Sequence, residues 1–128
     1  MSYYIAKTID CTFEEALEKT KESLKNVGFS VVTTIDMQTN LKNAIDKEMR
    51  PYMIFGACNP HYASAVIDKE PRIGVMLPCN VIIREIESGK VEVATINAME
   101  TMQSVNNPEL GAVAAEVNEK LSKAVLSL

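Results

Sequence analysis

The chain contains no tryptophan and a single histidine, and aromatic residues make up only 5% of its 128 residues. It has three cysteines, Cys11, Cys58 and Cys79, and no two of them are in CxxC spacing. An odd number of cysteines without a secretion signal argues against a secreted disulfide framework. The missing CxxC pairs give a zinc ribbon or a thioredoxin-type motif no support. We therefore expect a cytoplasmic protein with reduced thiols.

Signals of nucleic-acid, membrane and enzyme function are also missing. The formal net charge of −4 makes the chain a poor binder of a phosphate backbone. No apolar run approaches the roughly 18 residues that a membrane span needs, and the N-terminus lacks the pattern of a signal peptide. The motifs GxGxxG, GxxxxGK(S/T), GxSxG and HExxH do not occur. We expect neither nucleic acid nor membrane among the partners.

What is present is the composition of one globular domain spanning residues 1–128. Hydrophobic residues make up 47% of the chain, and a chain of this length buries enough surface to fold without a disulfide or a metal. The Thr-Phe-Glu-Glu run from Thr12 predicts a capping box at the start of a helix that Gly28 ends. Apolar residues recur at helical spacing over 110–128, which predicts a second long helix.

The remaining pattern predicts a mixed α+β domain in which the two long helices cover one face of a sheet. In chain order we expect a strand at 3–8, the first helix, a strand at 29–35, a short helix within 36–48, a strand at 51–57, a helix from Pro60 to Pro71, an irregular connection at 73–77, strands at 81–86 and 91–98, a loop at 99–107, and a last helix begun by Asn107 and Pro108. One face of the second strand is expected to carry Phe29, Val31, Thr33 and Ile35.

The predicted hairpin at 81–98 has two apolar faces. One face carries Val81, Ile83, Val91 and Val93, and the other carries Ile82, Ile86, Ala94 and Ile96. Helices on one side would leave the second face exposed, and an exposed apolar face usually packs against a partner. We therefore expect a homodimer. The alternative is that the short helices and the 99–107 loop cover this face.

The most unusual segment of the chain is RPYMIFGACNPHYA. It places Cys58 at the end of a buried strand and at the start of a helix. The unpaired N–H groups of a first helical turn carry partial positive charge, which stabilises a thiolate. A second Cys-Asn pair begins at Cys79 and also stands at a strand end. The candidate ligand-binding residues are Cys58, Asn59, His61, Cys79, Asn80 and Arg50.

These residues leave several functions open. Cys58 could act as a nucleophile or a sulfur carrier, or it could form a redox pair with Cys79. Together with His61 the two cysteines offer donors that suit zinc or copper, but a fourth ligand is not evident, so no metal site is predicted. Arg50 could bind an anionic ligand. The simpler alternative is that buried cysteines act as small hydrophobes while Asn59 caps a helix.

The same segments carry a family resemblance. RPYMIFGACNPHYA, IGVMLPCNVIIRE and NPELGAVAAEVNEKL resemble the bacterial and archaeal family catalogued as domain of unknown function 302, across essentially the whole chain. The resemblance implies a dimer and a curved antiparallel sheet with long helices on one face, similar to the TATA-binding protein in fold alone. The family has no established reaction to carry over. The resemblance also implies that its signature positions are occupied by Cys58, Asn59, Pro60, Pro78, Cys79 and Asn80.

We therefore expect a small dimeric binding module with a candidate thiol site at Cys58 and Cys79. One alternative is a thiol-based redox or sulfur-transfer enzyme that uses Cys58. Another is a structural or regulatory dimer in which both cysteines are buried. The sequence names no cofactor and no substrate, and the partners it leaves open are a second copy of the chain and a small-molecule or soft-metal ligand.

Overall fold

The computed structural model of the chain describes residues 2–128 and divides them into five strands and five α-helices. Short 3-10 turns precede the fourth strand and the last helix. None of these helices has both the length and the apolar composition that a membrane crossing requires. The elements in chain order are β1 (Tyr4–Asp10), α1 (Phe13–Asn26), β2 (Ser30–Asp36), α2 (Met37–Ile45), β3 (Tyr52–Cys58), α3 (Pro60–Lys69), β4 (Cys79–Glu87), β5 (Lys90–Ile96), α4 (Ala98–Gln103) and α5 (Gly111–Leu126).

The five strands form one antiparallel sheet in the order β1-β5-β4-β3-β2. The first two strands of the chain, β1 and β2, are therefore the edges of the sheet. Helices α1 and α5 contact each other, and both pack against the central strand β5. This arrangement confirms the predicted α+β fold with two long helices on one face.

The core lies between that face of the sheet and the two long helices. Leu24 of α1 and Leu121 of α5 are fully buried against the strands. Because side chains alternate along a strand, β4 and β5 present one face to these helices and bury Val81, Ile83, Val91 and Val93. Burial of each large aliphatic side chain contributes about 1.5–3 kcal/mol, so this predicted face stabilises the fold.

Side-chain caps fix where α1 and α3 begin. Thr12 Oγ1 accepts a hydrogen bond from the N–H of Glu15 at 3.1 Å, and Glu15 Oε1 accepts one from the N–H of Thr12 at 3.3 Å. This reciprocal pair is the predicted capping box. Asn59 caps α3, and Pro60 occupies the first helical position, where its missing N–H costs nothing.

The second strand corrects one expectation. Val31 packs against the core, but the register between β2 and β3 shifts by one residue before Thr33. The extra residue, Val32, forms a bulge that reverses the alternation of side chains along the strand. Thr33 and Ile35 therefore face away from the helices. The expected common face of Phe29, Val31, Thr33 and Ile35 is wrong.

Two segments that lacked a clear sequence pattern are helical. The expected irregular connection at 73–77 is largely a 3-10 turn, and the expected loop at 99–107 contains most of α4. Asn97 caps α4 by accepting hydrogen bonds from two N–H groups of its first turn. This cap stabilises the start of the helix, although the segment lacks apolar residues at helical spacing. The predicted start at Asn107 is a 3-10 turn, and the last helix begins at Gly111.

The face of the sheet opposite α1 and α5 forms a shallow depression of about 610 Å³. Ile82 and Ala94 line it, as the sequence predicted. An ion pair between Arg84 Nε and Glu92 Oε1, 2.8 Å apart, lies on the same face. The open face of the sheet (the surface around these four residues) therefore combines apolar side chains with a charged pair and further polar groups, among them Asn80.

We expect Gly56→Ala to destabilise the fold by about 1–3 kcal/mol, as overpacking usually does. A Cβ at Gly56 would overlap Thr33 Oγ1 and lie 2.6 Å from Pro78 Cγ, so one of these neighbours would have to move. Urea unfolding measures the change. Gly74→Ala is the matched control, because nothing lies within 4 Å of its added Cβ. Equal losses of stability in the two variants would contradict this explanation.

Candidate functional site

An apolar cavity of about 260 Å³ lies where β3 ends and β4 begins. Cys58 and Cys79 line it from the sheet, and side chains of α3, α4 and α5 line the rest. Val32 also lines the cavity and is 58% exposed, so the cavity reaches the protein surface. Its walls are almost entirely apolar, which suits a ligand held by shape and hydrophobic burial.

The register between two strands brings the cysteines to this cavity. Ala57 pairs with Cys79 across β3 and β4, and Gly56 pairs with Asn80. Cys58 directly follows Ala57, so both Cys-Asn pairs lie at the same end of the sheet. The sequence predicted that each Cys-Asn pair lies at a strand end. The register shows that these two strand ends are neighbours.

Cys79 is held in its neutral form. The pKa of Cys79 is raised from its ordinary value of 9.0 to about 11. Burial is the main cause of this rise, and a charge on Cys58 is a lesser one. A thiol with this pKa is almost wholly protonated at neutral pH, so Cys79 is a weak hydrogen-bond donor and not a nucleophile. Both cysteines are free thiols. The nucleophilic role considered for Cys58 stays a hypothesis.

Asn59 supports the site through three hydrogen bonds. Its Oδ1 accepts from the N–H groups of His61 at 3.0 Å and Tyr62 at 3.3 Å, and its Nδ2 donates to the carbonyl oxygen of Gly28 at 3.0 Å. The first two bonds occupy N–H groups of the first turn of α3, which were expected to stabilise a Cys58 thiolate. Asn59 thus ties the start of α3 to the turn between α1 and β2.

The remaining candidates lie outside the cavity. His61 is exposed in the first turn of α3, and Asn80 lines the depression on the open face of the sheet. Arg50 Nη1 forms an ion pair with Glu85 Oε1 at 2.9 Å. Because Arg50 precedes β3 and Cys58 is its last residue, the length of the strand separates them, roughly 20 Å at about 3.3 Å per residue. The structure does not bring Arg50 to the cysteines.

Sequence reasoning missed most of the cavity wall. Val113 and Val117 line it, but their helical spacing indicated an ordinary core face. Met102 also lines it, and it fell in a segment that was predicted to be a loop. Tyr62 stacks on Phe29 with ring centroids 6.2 Å apart, and burial, followed by the Glu116 carboxylate, raises the pKa of Tyr62. No local motif marks these residues, because they come from segments that are distant in the chain.

Residues 2–128 do not assemble a metal site around the cavity. No group of three histidine, cysteine, aspartate or glutamate side chains in that range could hold a metal ion. Cys58 and Cys79 provide two sulfur ligands, whereas zinc in structural sites takes four. His61, the nitrogen donor considered from the sequence, does not line the cavity.

The chain is similar to proteins without a described activity. An uncharacterized protein of Aquifex aeolicus (strain VF5) is 31% identical over 84 residues, a match that covers 60% of this chain and 58% of the relative's length. The crystal structure of an uncharacterized conserved protein DUF302 from Bacillus stearothermophilus shares the fold, with a TM-score of 0.90 and 23% identity over 98% of this chain and 97% of that one. The family described as "Domain of unknown function DUF302" matches residues 5–128, and the chain therefore belongs to this family.

Proposed function

We propose that this protein is a binding module whose small-molecule ligand occupies the apolar cavity beside Cys58 and Cys79. The observation that carries the proposal is an apolar volume of about 260 Å³ that reaches the surface and is lined by both cysteines. A dry apolar cavity of about 150 Å³ binds benzene in another protein, so this one has room for a larger apolar ligand. Small-molecule sites are typically concave and mostly apolar.

The lining favours a compact and neutral ligand. Val113 and Val117 offer aliphatic contacts, and Phe29 and Tyr62 offer aromatic ones. The protonated thiol of Cys79 adds one weak donor. A charged group buried among these side chains would lose its hydration without gaining a partner, which is very unfavourable. We infer that the part of the ligand that enters the cavity carries no charge.

We expect Ala63→Leu to weaken the binding of toluene at least about tenfold, which corresponds to about 1.4 kcal/mol. Ala63 lines the cavity from α3, and a leucine side chain there would occupy the space that the probe needs. Titration followed by NMR measures the affinity. Native mass spectrometry of freshly purified protein under reducing conditions reports any ligand that copurifies.

The control for this variant is Ala115→Leu, which adds the same atoms at an exposed position of α5 outside the cavity. It should bind toluene as the unmodified protein does, and thermal unfolding confirms that both variants fold. The proposal fails if toluene shifts resonances away from the cavity, or if Ala63→Leu binds with unchanged affinity.

A second candidate function is redox or sulfur-transfer chemistry at Cys58. The partial exposure of Cys58 beside the cavity favours it, since a bound reactant could approach the sulfur. Because thiol exchange begins with attack by a thiolate, the raised pKa of Cys79 makes Cys58 the thiol that would attack. In the third alternative both cysteines only fill space, and neither ligand nor reaction is expected.

Free thiols are typical of the cytoplasm, which we propose as the location.

We expect iodoacetamide to label Cys79 about a hundredfold more slowly in the folded protein than in the urea-unfolded chain. A pKa of about 11 instead of 9.0 lowers the thiolate fraction by that factor. The variant Cys11→Ser/Cys58→Ser leaves a single thiol, and mass spectrometry follows its labelling. Similar rates in both states would contradict a neutral Cys79.

The same pKa shift makes stability depend on pH. The unfolded thiol ionises first, so the free energy of unfolding should fall as the pH rises from 9.0 toward about 11. The Cys79→Ala variant should lack this contribution to the fall in the free energy of unfolding. Urea unfolding of both proteins between pH 9.0 and about 11 measures the difference.

We also propose a homodimer formed through the open face of the sheet. Ile82, Ala94 and Ile96 give this face apolar surface, and Arg84 and Glu92 give it a partly buried ion pair. In a two-fold contact one patch meets the same patch on the partner. Arg84 of each copy can therefore approach Glu92 of the other, which makes the face complementary to itself.

We expect Ile82→Arg to convert the dimer to a monomer, because it would bury an unpaired charge in the interface. Val75→Arg is the control, since Val75 is 86% exposed and does not lie on this face. Sedimentation equilibrium measures the mass of both variants. A monomeric unmodified protein, or an Ile82→Arg variant that stays dimeric, would exclude this interface.

A further inference from the structure

A second surface, the edge groove, lies between α1 and β2 and shares only Phe29 with the proposed ligand site. Its volume is about 400 Å³. Lys21 and Lys25 line it from α1, and Phe29 lines it from the turn before β2. The remaining lining residues belong to β2: Ser30, Val31 and Thr34. The chain turns back at Gly28, so α1 and β2 run in opposite directions on either side of the groove.

The floor of the edge groove is an unpaired strand edge. β2 is the last strand of the sheet and pairs on one side with β3. Among residues 2–128, no other segment forms backbone hydrogen bonds with residues 30–35. Its outward N–H and C=O groups are therefore available to an added strand, which is how sheets bind extended peptides. Val32 and Ile35 are exposed along it, by 58% and 41%.

The wall of the edge groove is basic, although the chain as a whole has a net charge of −4. Lys21 lies over the ring of Phe55, with Nζ 5.6 Å from the ring centroid, and its side chain is 47% exposed. Its ion pair with Glu18 is long at 3.6 Å and exposed, so it contributes little. Lys25 forms no ion pair within the described residues.

The spacing of the two lysines matches that of an extended chain. Four residues along a helix span about 6 Å, and two residues along a strand span about 6.6 Å. Alternate side chains of a strand added to β2 point to the same face of the sheet. Acidic residues at positions i and i+2 of that strand would therefore lie opposite Lys25 and Lys21.

We propose that the edge groove binds an extended acidic peptide segment, which adds to the sheet along β2 and places two carboxylates against Lys21 and Lys25. The partner is a protein segment with acidic residues at alternate positions. The bulge at Val32 and the nearby lysines discourage unselective pairing with apolar strands, so charge selects the occupant. A second copy fits poorly, because antiparallel pairing of two β2 edges would bring the lysines of both copies together.

The test is an NMR titration of the full chain with the acetylated and amidated peptide Thr-Asp-Val-Asp-Val-Thr. We expect shifts at the amides of residues 30–35 and an affinity that falls as salt is raised, since salt screens exposed charges. Lys21→Gln/Lys25→Gln should weaken binding about tenfold, the combined effect of two partly exposed ion pairs. Lys19→Gln/Lys47→Gln removes the same charge elsewhere and should bind normally.

Two altered peptides separate the contributions to binding. The version with asparagine in place of both aspartates should bind as weakly as the lysine variant does, and N-methylation at alternate backbone positions should abolish binding. Equal binding of the aspartate and asparagine peptides would overturn the proposal, as would unchanged binding after N-methylation. It is also overturned if β2 shifts depend on protein concentration without peptide, since that result identifies a second copy as the occupant.

Discussion

The register between β3 and β4 is the constraint on which the candidate site depends. Ala57 stands opposite Cys79 and Gly56 stands opposite Asn80, so the end of one strand and the start of the next lie at one edge of the sheet. Gly56 has no Cβ, which lets Thr33 and Pro78 approach over its backbone. A side chain there would push β2 or the Pro78 ring outward and change the cavity that they border.

Asn59 connects this edge of the sheet to the helices. One side-chain oxygen caps α3 and the side-chain amide holds the carbonyl of Gly28, so the α1–β2 turn and the start of α3 are fixed to the same group. Those two segments supply Phe29 and Tyr62 to the cavity wall. Asn59, a ligand-binding candidate from the sequence, therefore positions the cavity wall. Its side-chain oxygen also occupies two N–H groups of α3 that could otherwise attract an anion.

The sequence predicted the elements better than it predicted their combination. The capping box at Thr12, the cap at Asn59 and the periodic last helix are local signals, and local physics decides them. The bulge at Val32 depends on how β2 meets β3, so it reversed the predicted faces of Thr33 and Ile35. The cavity could not be predicted from local patterns either, because its wall comes from three helices and three strands that are distant in the chain.

A cysteine at position 79 has a physical explanation that does not require reactivity. A serine hydroxyl in this apolar wall would lose its hydration without a hydrogen-bond partner, which costs about 1–3 kcal/mol. A thiol is apolar enough to be buried there and still offers a weak donor. The raised pKa is the consequence of that burial. Cys58 is half-buried at the same cavity, as Cys79 is, so the same explanation applies to both positions. Because the raised pKa keeps the Cys79 thiol neutral, any thiolate chemistry of this site would have to begin at Cys58.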